Sequence, residues 1–443
     1  MAPLCSARSR ARKAEDAPTG ADANARMLAP RSGLDPRVWQ MAFARAVNTM
    51  GLSLVMSFLG IYIVETRGYP AWSYGLIALA ANLGQSMSNA WAGNLSDRIG
   101  RRPLITTALF VRSGFIALLG TQVMLDAPLW TLGANMVVTS TLRGCFEPVA
   151  YALVADVVRD DQRVHAFGIQ RMGTNVGWAV GPALGGVLTL VLPYGAVFYI
   201  AAAGMIVAGV VTMRVADPVR RTVHAASPDD GLARALRAGL ADRVMSMLLL
   251  GTLLCALLET QMFSTFSIYM TTKLSLTKAD VGLLYGLNGL AVLILQVPAL
   301  GLIRRFGIRR VLPWSSLLDA LGFAVIGLAG GFGGGALAIL MLTCAEVLFD
   351  PAQQAAIAEV ADPAHRGRAF GIVGFASMLG IAFAPLLGGT LLDTIGDHHV
   401  AMWLTIATFG FGQTLCFLVF VRRRAPRRVA SPSITDARRD PEV

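Results

Sequence analysis

EPVAYALVADVVRDDQRVHAFGIQRMGTNVGWAVGPALGG, residues 147–186, returns as DPAQQAAIAEVADPAHRGRAFGIVGFASMLGIAFAPLLGG at residues 350–389. The two align without a gap. Pro148 meets Pro351, Arg163 meets Arg366, AFGI meets AFGI, Gly177 meets Gly380, Pro182 meets Pro385, and Gly185 and Gly186 meet Gly388 and Gly389. Upstream of each copy lies a second echo, GNLSDRIGRR at 93–102 and GLIRRFGIRR at 301–310, in a register that puts Gly307 on Gly100. The chain is written as two related halves.

Composition says where those halves reside. Of 443 residues, 55% are hydrophobic and only 15% charged, too little polar surface to coat a soluble protein of this size. Apolar stretches of about 20 residues, enough to cross a hydrocarbon core as a helix, recur from Val38 almost to Phe420. In lipid each backbone N–H and C=O needs an internal partner, so these stretches are expected to be helices. The first follows a tail rich in Ala, Arg, Pro and Asp, lacks a small-residue cleavage site and is too long for a signal-peptide core. It is therefore read as a span.

Twelve spans are expected: 38–64, 72–95, 103–122, 129–155, 165–191 and 194–213, then 243–270, 279–302, 311–330, 335–360, 367–392 and 398–421. The expected fold is an all-α polytopic membrane protein with two pseudo-symmetric six-helix bundles, 38–213 and 243–421. A disordered tail (1–37), a polar linker (214–242) and a C-terminal tail (422–443) complete it.

The net charge of +11 is read as topology, with no nucleic-acid partner. Basic residues crowd alternate junctions: Arg98, Arg101 and Arg102; Arg159 and Arg163; the linker; Arg304, Arg305, Arg309 and Arg310; Arg366 and Arg368; Arg422 to Arg424. The intervening junctions are nearly free of them, and only TTKLSLTK carries two Lys. Under the positive-inside rule both termini are expected in the cytoplasm of a multi-pass plasma (inner) membrane protein.

Other chemistries find little footing. The five cysteines show no paired spacing, so no disulfide, metal or cofactor is expected. A pump driven by ATP needs a phosphate loop ending in Gly-Lys-Ser/Thr, and none of Lys13, Lys273 and Lys278 is followed by Ser or Thr. The histidines fall at loops, away from Ser53, which argues against an intramembrane hydrolase and against an enzyme generally.

GNLSDRIGRR resembles the G-x-L-a-D-R-x-G-R-R loop signature of the major facilitator superfamily, and GWAVGPALGG is similar to the fifth-helix element of its proton-coupled drug antiporters. The resemblance implies a two-bundle secondary transporter that alternates between inward-open and outward-open states. It implies efflux of a small, largely apolar compound coupled to protons. Uptake of a nutrient or metabolite is the alternative, with a transporter-like sensor behind it. The partners are then a small-molecule substrate, protons and the lipid bilayer, and a monomer is expected.

By that resemblance Gly93, Asp97, Arg98, Gly100, Arg101 and Arg102 form a conformational-gate loop, joined by Asp156 and Arg163. The glycines would permit close backbone approach, and Asp97 either caps a helix or pairs with Arg. Gly177, Gly181, Gly185 and Gly186 put one face of helix five at minimal radius, with Pro182 bending it. The repeat replaces the middle glycine by Ala384.

Charges inside spans cost about 2.5 to 3.5 kcal/mol on insertion scales, so each asks for a partner or a function. Asn48, Arg143, Glu147, Glu259, Glu346 and Asp350 are the candidate substrate and proton cavity, on helices one, four, seven and ten, which line the cavity in the superfamily. Arg143 is expected to pair with Glu147 or Glu346, one arginine confronting the three carboxylates Glu147, Glu346 and Asp350, and one of these or Glu259 carries the proton; a fixed ion-pair network is the other reading. Arg45 either snorkels to the cytoplasmic surface or joins the cavity. Asp319, on helix nine, is expected to be an interhelical hydrogen-bonding residue.

Overall fold

The computed structural model describes residues 35–159, 162–215, 232–360 and 366–423. The expected N-terminal tail up to residue 34, residues 216–231 of the linker and the C-terminal tail from residue 424 lie outside them. Among the described residues twelve long helices follow one another: α1 (Pro36–Ile61), α2 (Ala71–Ile99), α3 (Arg101–Met124), α4 (Leu129–Val157), α5 (Arg163–Val191), α6 (Tyr194–Met213), α7 (Arg243–Phe263), α8 (Lys278–Phe306), α9 (Ile308–Leu328), α10 (Phe332–Val360), α11 (Arg366–Ile395) and α12 (His399–Arg423). α1 opens with Pro36 in its first turn and the Asp35 carboxylate accepting from the Arg37 N–H, a common helix start.

Among the described residues, ten helical segments are long and apolar enough to cross a membrane. α2 and α4 are the other two, each 29 residues and so about 43 Å long at 1.5 Å per residue. Their polar content sets them apart: Asn82, Gln85, Ser86, Ser88 and Asn89 in α2, Asn135, Thr139, Ser140, Arg143 and Glu147 in α4.

Three details depart from uniform spans. α1 runs on through a π-helical turn, Tyr62–Thr66. α7 breaks at Ser264 and resumes as Thr265–Thr272. The expected linker contains a helix, Leu232–Ala241, whose Leu232, Leu236 and Leu240 recur every four residues.

The repeat is visible in the packing. α1 against α5, α1 against α6, α3 against α4 and α3 against α6 recur as α7 against α11, α7 against α12, α9 against α10 and α9 against α12. Gly100 (φ 99°) separates α2 from α3 as Gly307 (φ 76°) separates α8 from α9. Each donates its N–H to the carbonyl four residues back, Ser96 and Ile303, at 2.9 Å. That left-handed backbone is open to glycine at little cost. Pro148 and Pro351, and Pro182 and Pro385, sit inside matched helices.

Packing groups the chain into two units, Met1–His224 with Met270–Gly289, and Ala225–Tyr269 with Leu290–Val443. The first has a core built on Val38, Met41, Ile105, Phe146, Val149 and Leu153; the second on Leu248, Leu312, Phe349, Ala352 and Phe417. Lys278, one of the two lysines that broke the charge alternation, belongs to the first unit. Its Nζ lies 3.8 Å from Glu65 and 4.5 Å from the centre of the Tyr194 ring.

Candidate functional site

Three helices of the first unit bring charge to one place, and a fourth, α2, adds the neutral Gln85. Arg45 of α1 is 1% exposed and donates to Glu147 of α4 at 2.5 Å, with its guanidinium 4.0 Å from the centre of the Tyr151 ring. It does not snorkel: the Glu147 carboxylate and the Tyr151 ring hold it buried inside the first unit. Arg143, one turn before Glu147, donates to Gln85 of α2 at 3.1 Å and lies 3.9 Å from Glu147. Asn48, fully buried one turn beyond Arg45, accepts from Arg112 of α3.

Arg112 is the residue that sequence reasoning missed. It is 1% exposed, and Arg143 and Glu147 are the charges that act on it. The expectation of one arginine beside Glu147 is therefore corrected within the first unit: Arg45 lies 2.5 Å and Arg143 3.9 Å from its carboxylate, and Arg112 feels its charge. A lone arginine inside the apolar run ITTALFVRSGFIALLG was the signal.

The second unit holds the opposite charge. Glu259 of α7, Asp319 of α9 and Glu346 of α10 line one cavity with Met262, Phe263, Phe323 and Leu342. Asp350 stands one turn beyond Glu346 and is among the charges acting on Glu259. Glu259 accepts from the Cys255 thiol at 3.3 Å. Asp319 is corrected as well: its Oδ2 is buried without a hydrogen-bond partner, so it belongs to the carboxylate cavity rather than to an interhelical hydrogen bond.

At the α2–α3 junction, Arg101 lies 2.9 Å from Asp156 and 4.0 Å from Asp97, whose side chain is 68% exposed. The structure thus brings Asp97, Arg101 and Asp156 together and places Arg98 and Arg102 on either side of Gly100. Arg163 opens α5. A Cβ at Gly93 would meet nothing within 4 Å, whereas Gly100, at φ 99°, takes a backbone that favours glycine.

Along α5 the glycines do seat a neighbour. A Cβ on Gly177 would come within 2.6 Å of the Ala46 carbonyl oxygen and the Thr49 Cβ, one on Gly181 within 2.6 Å of the Met50 carbonyl oxygen, and one on Gly185 within 2.5 Å of the Phe58 ring. Ser53 donates to the Gly177 carbonyl at 3.0 Å. Gly186 faces the other way, onto Gly282 at the start of α8, inside the same unit. In α11, Gly380 repeats Gly177: a Cβ there would come within 2.9 Å of the Ala256 Cβ and the Leu257 nitrogen.

Comparison with known proteins agrees with this architecture. The family model described as Major Facilitator Superfamily matches residues 41–272 and 248–441. An uncharacterized MFS-type transporter of Bacillus subtilis, YqjV, is 25% identical over 82% of this chain and 88% of its own length. The multidrug resistance protein MdtH of Klebsiella pneumoniae is 26% identical over 86% of this chain and 92% of its own. Among solved structures, the nucleoside transporter NupG superposes with a TM-score of 0.72 at 14% identity, covering 88% of this chain and 100% of that one.

Proposed function

The chain belongs to the Major Facilitator Superfamily, and we propose that it is a proton-coupled exporter of a small, largely apolar compound, working by alternating access. That it is a multi-pass membrane transporter and not an enzyme follows from its family and from its relatives. The observation that carries the rest is the cavity of the second unit, where Glu259, Asp319 and Glu346 stand among Met262, Phe263, Phe323 and Leu342. Clustered carboxylates away from water cannot all stay ionised, so one takes up a proton readily. The apolar walls and the Met side chain suit a compound held by shape and burial more than by hydrogen bonds.

In this reading the Asp97–Arg101–Asp156 cluster is the inner gate of the first bundle, which holds one state and breaks in the other. α5, sealed on α1 by its glycines, is the rigid element on which that bundle moves. The bundles are 38–213 and 243–421, with both termini and the linker in the cytoplasm of the plasma (inner) membrane, and the working unit is a monomer. The multidrug name of MdtH favours export.

Counter-transport in sealed vesicles with an imposed pH gradient, run over a panel of small compounds, tests the function. Export moves compound against the proton flow, whereas movement of both in one direction makes the protein an uptake system. For the topology, single cysteines at Ser227 and Asp397 are expected to label from opposite sides.

A further inference from the structure

Inside the first unit, positive charge outnumbers negative. Arg45, Arg112 and Arg143 share one carboxylate, Glu147, which Arg45 binds at 2.5 Å and Arg143 approaches to 3.9 Å. Arg112 turns instead to the neutral Asn48, and Gln85 takes one donor of Arg143. Donors are left over: Nε and Nη2 of Arg112, Nε of Arg143 and Nδ2 of Asn48 are buried without a hydrogen-bond partner. A guanidinium does not shed its proton in a protein. The cluster therefore carries two more positive charges than Glu147 offsets, in a setting where uncompensated charge is costly.

We propose that this cluster is an anion-binding site, and that the exported compound bears a carboxylate or similar oxyanion held by Arg112 and Arg143. The planar donor fork of arginine matches a carboxylate with two parallel hydrogen bonds. The side chains of Arg143 and Glu147 are 18% and 21% exposed, so the cluster is not sealed from solvent. Arg45 is already engaged by Glu147 and Tyr151 and serves as a fixed background charge. The proposal rests on the transporter reading and adds to it the charge of the substrate.

The test is binding without transport. Purified full-length protein in nanodiscs is titrated with benzoate, salicylate and 1-naphthoate, and with the uncharged amide of each, while thermal unfolding is followed. At least one carboxylate is expected to raise the unfolding midpoint while its amide does not. Arg112→Gln and Arg143→Gln are each expected to weaken that binding at least tenfold. Arg143→Lys should restore part of it, and Arg171→Gln, outside the cluster, should leave it unchanged. Equal response to acid and amide, no response to any acid, or wild-type affinity in Arg143→Gln overturns the proposal. If Arg112→Gln does not fold, the acid and amide pairs on the unaltered protein and the two Arg143 variants still decide. Should no carboxylate bind while pH-driven counter-transport of a neutral compound persists, the anion site fails and the transporter reading stands; carboxylate binding without any transport does the reverse.

Discussion

Twelve residues past Gly100 stands Arg112, and twelve past Gly307 stands Asp319. Arg143 of α4 and Glu346 of α10 are likewise matched by the repeat, as are Glu147 and Asp350. The two halves thus share glycine breaks, prolines and close helix contacts, yet at two matched positions the first half has arginine where the second has a carboxylate. The shared residues set the backbone, because they decide where helices bend, break and touch. The differing residues set the chemistry, one cluster short of negative charge and the other rich in it.

Removing one acid from each half is the strongest way to break this contrast. Glu147→Gln takes the Glu147 carboxylate from beside the arginines of the first unit and should destabilise the protein by about 3–5 kcal/mol, the cost of leaving a buried charge without its partner. Asp319→Asn relieves repulsion in the second cavity and should change stability by less than about 1 kcal/mol. Thermal unfolding of the purified variants compares the two, and equal losses would show that the clusters are not of opposite character.

A smaller effect is expected at the α1–α5 seam. Gly181→Val forces carbons onto Ser53 and Met50 and should cost about 1–3 kcal/mol or more by overpacking. Ala384→Gly, the reciprocal change in the second half, should cost only about 1 kcal/mol. If both are neutral by the same assay, the seam is looser than the contacts imply.

Smallest are the loop glycines. Gly100→Ala and Gly307→Ala should each cost about 1–2 kcal/mol, because both enter the left-handed region. Gly93→Ala, in open space inside α2, should be neutral or stabilise by up to about 1 kcal/mol. Unequal losses at Gly100 and Gly307 would weaken the equivalence of the two junctions.

The helices and their repetition were legible because lipid leaves the backbone few choices and because Pro148, Pro182, Gly177 and Gly185 recur at one fixed separation. The charged clusters were legible in part. Glu147, Glu259, Glu346 and Asp350 stood out as acids inside apolar runs, but their partners depend on which faces of different helices meet, and a linear pattern does not hold that. Arg112 escaped because the Gly100–Gly307 register was not followed along the next helix, where it meets Asp319.

The central claim is that a carboxylate of the second unit carries the coupling proton, and the direct test is counter-transport in proteoliposomes with an imposed pH gradient. Glu259→Gln, Asp319→Asn, Glu346→Gln and Asp350→Asn are each reconstituted beside the unaltered protein, and ligand binding is measured on the same preparations. The account predicts that at least one of these amides binds ligand as the unaltered protein does yet no longer responds to the pH gradient; four variants that all retain pH-driven transport would contradict it.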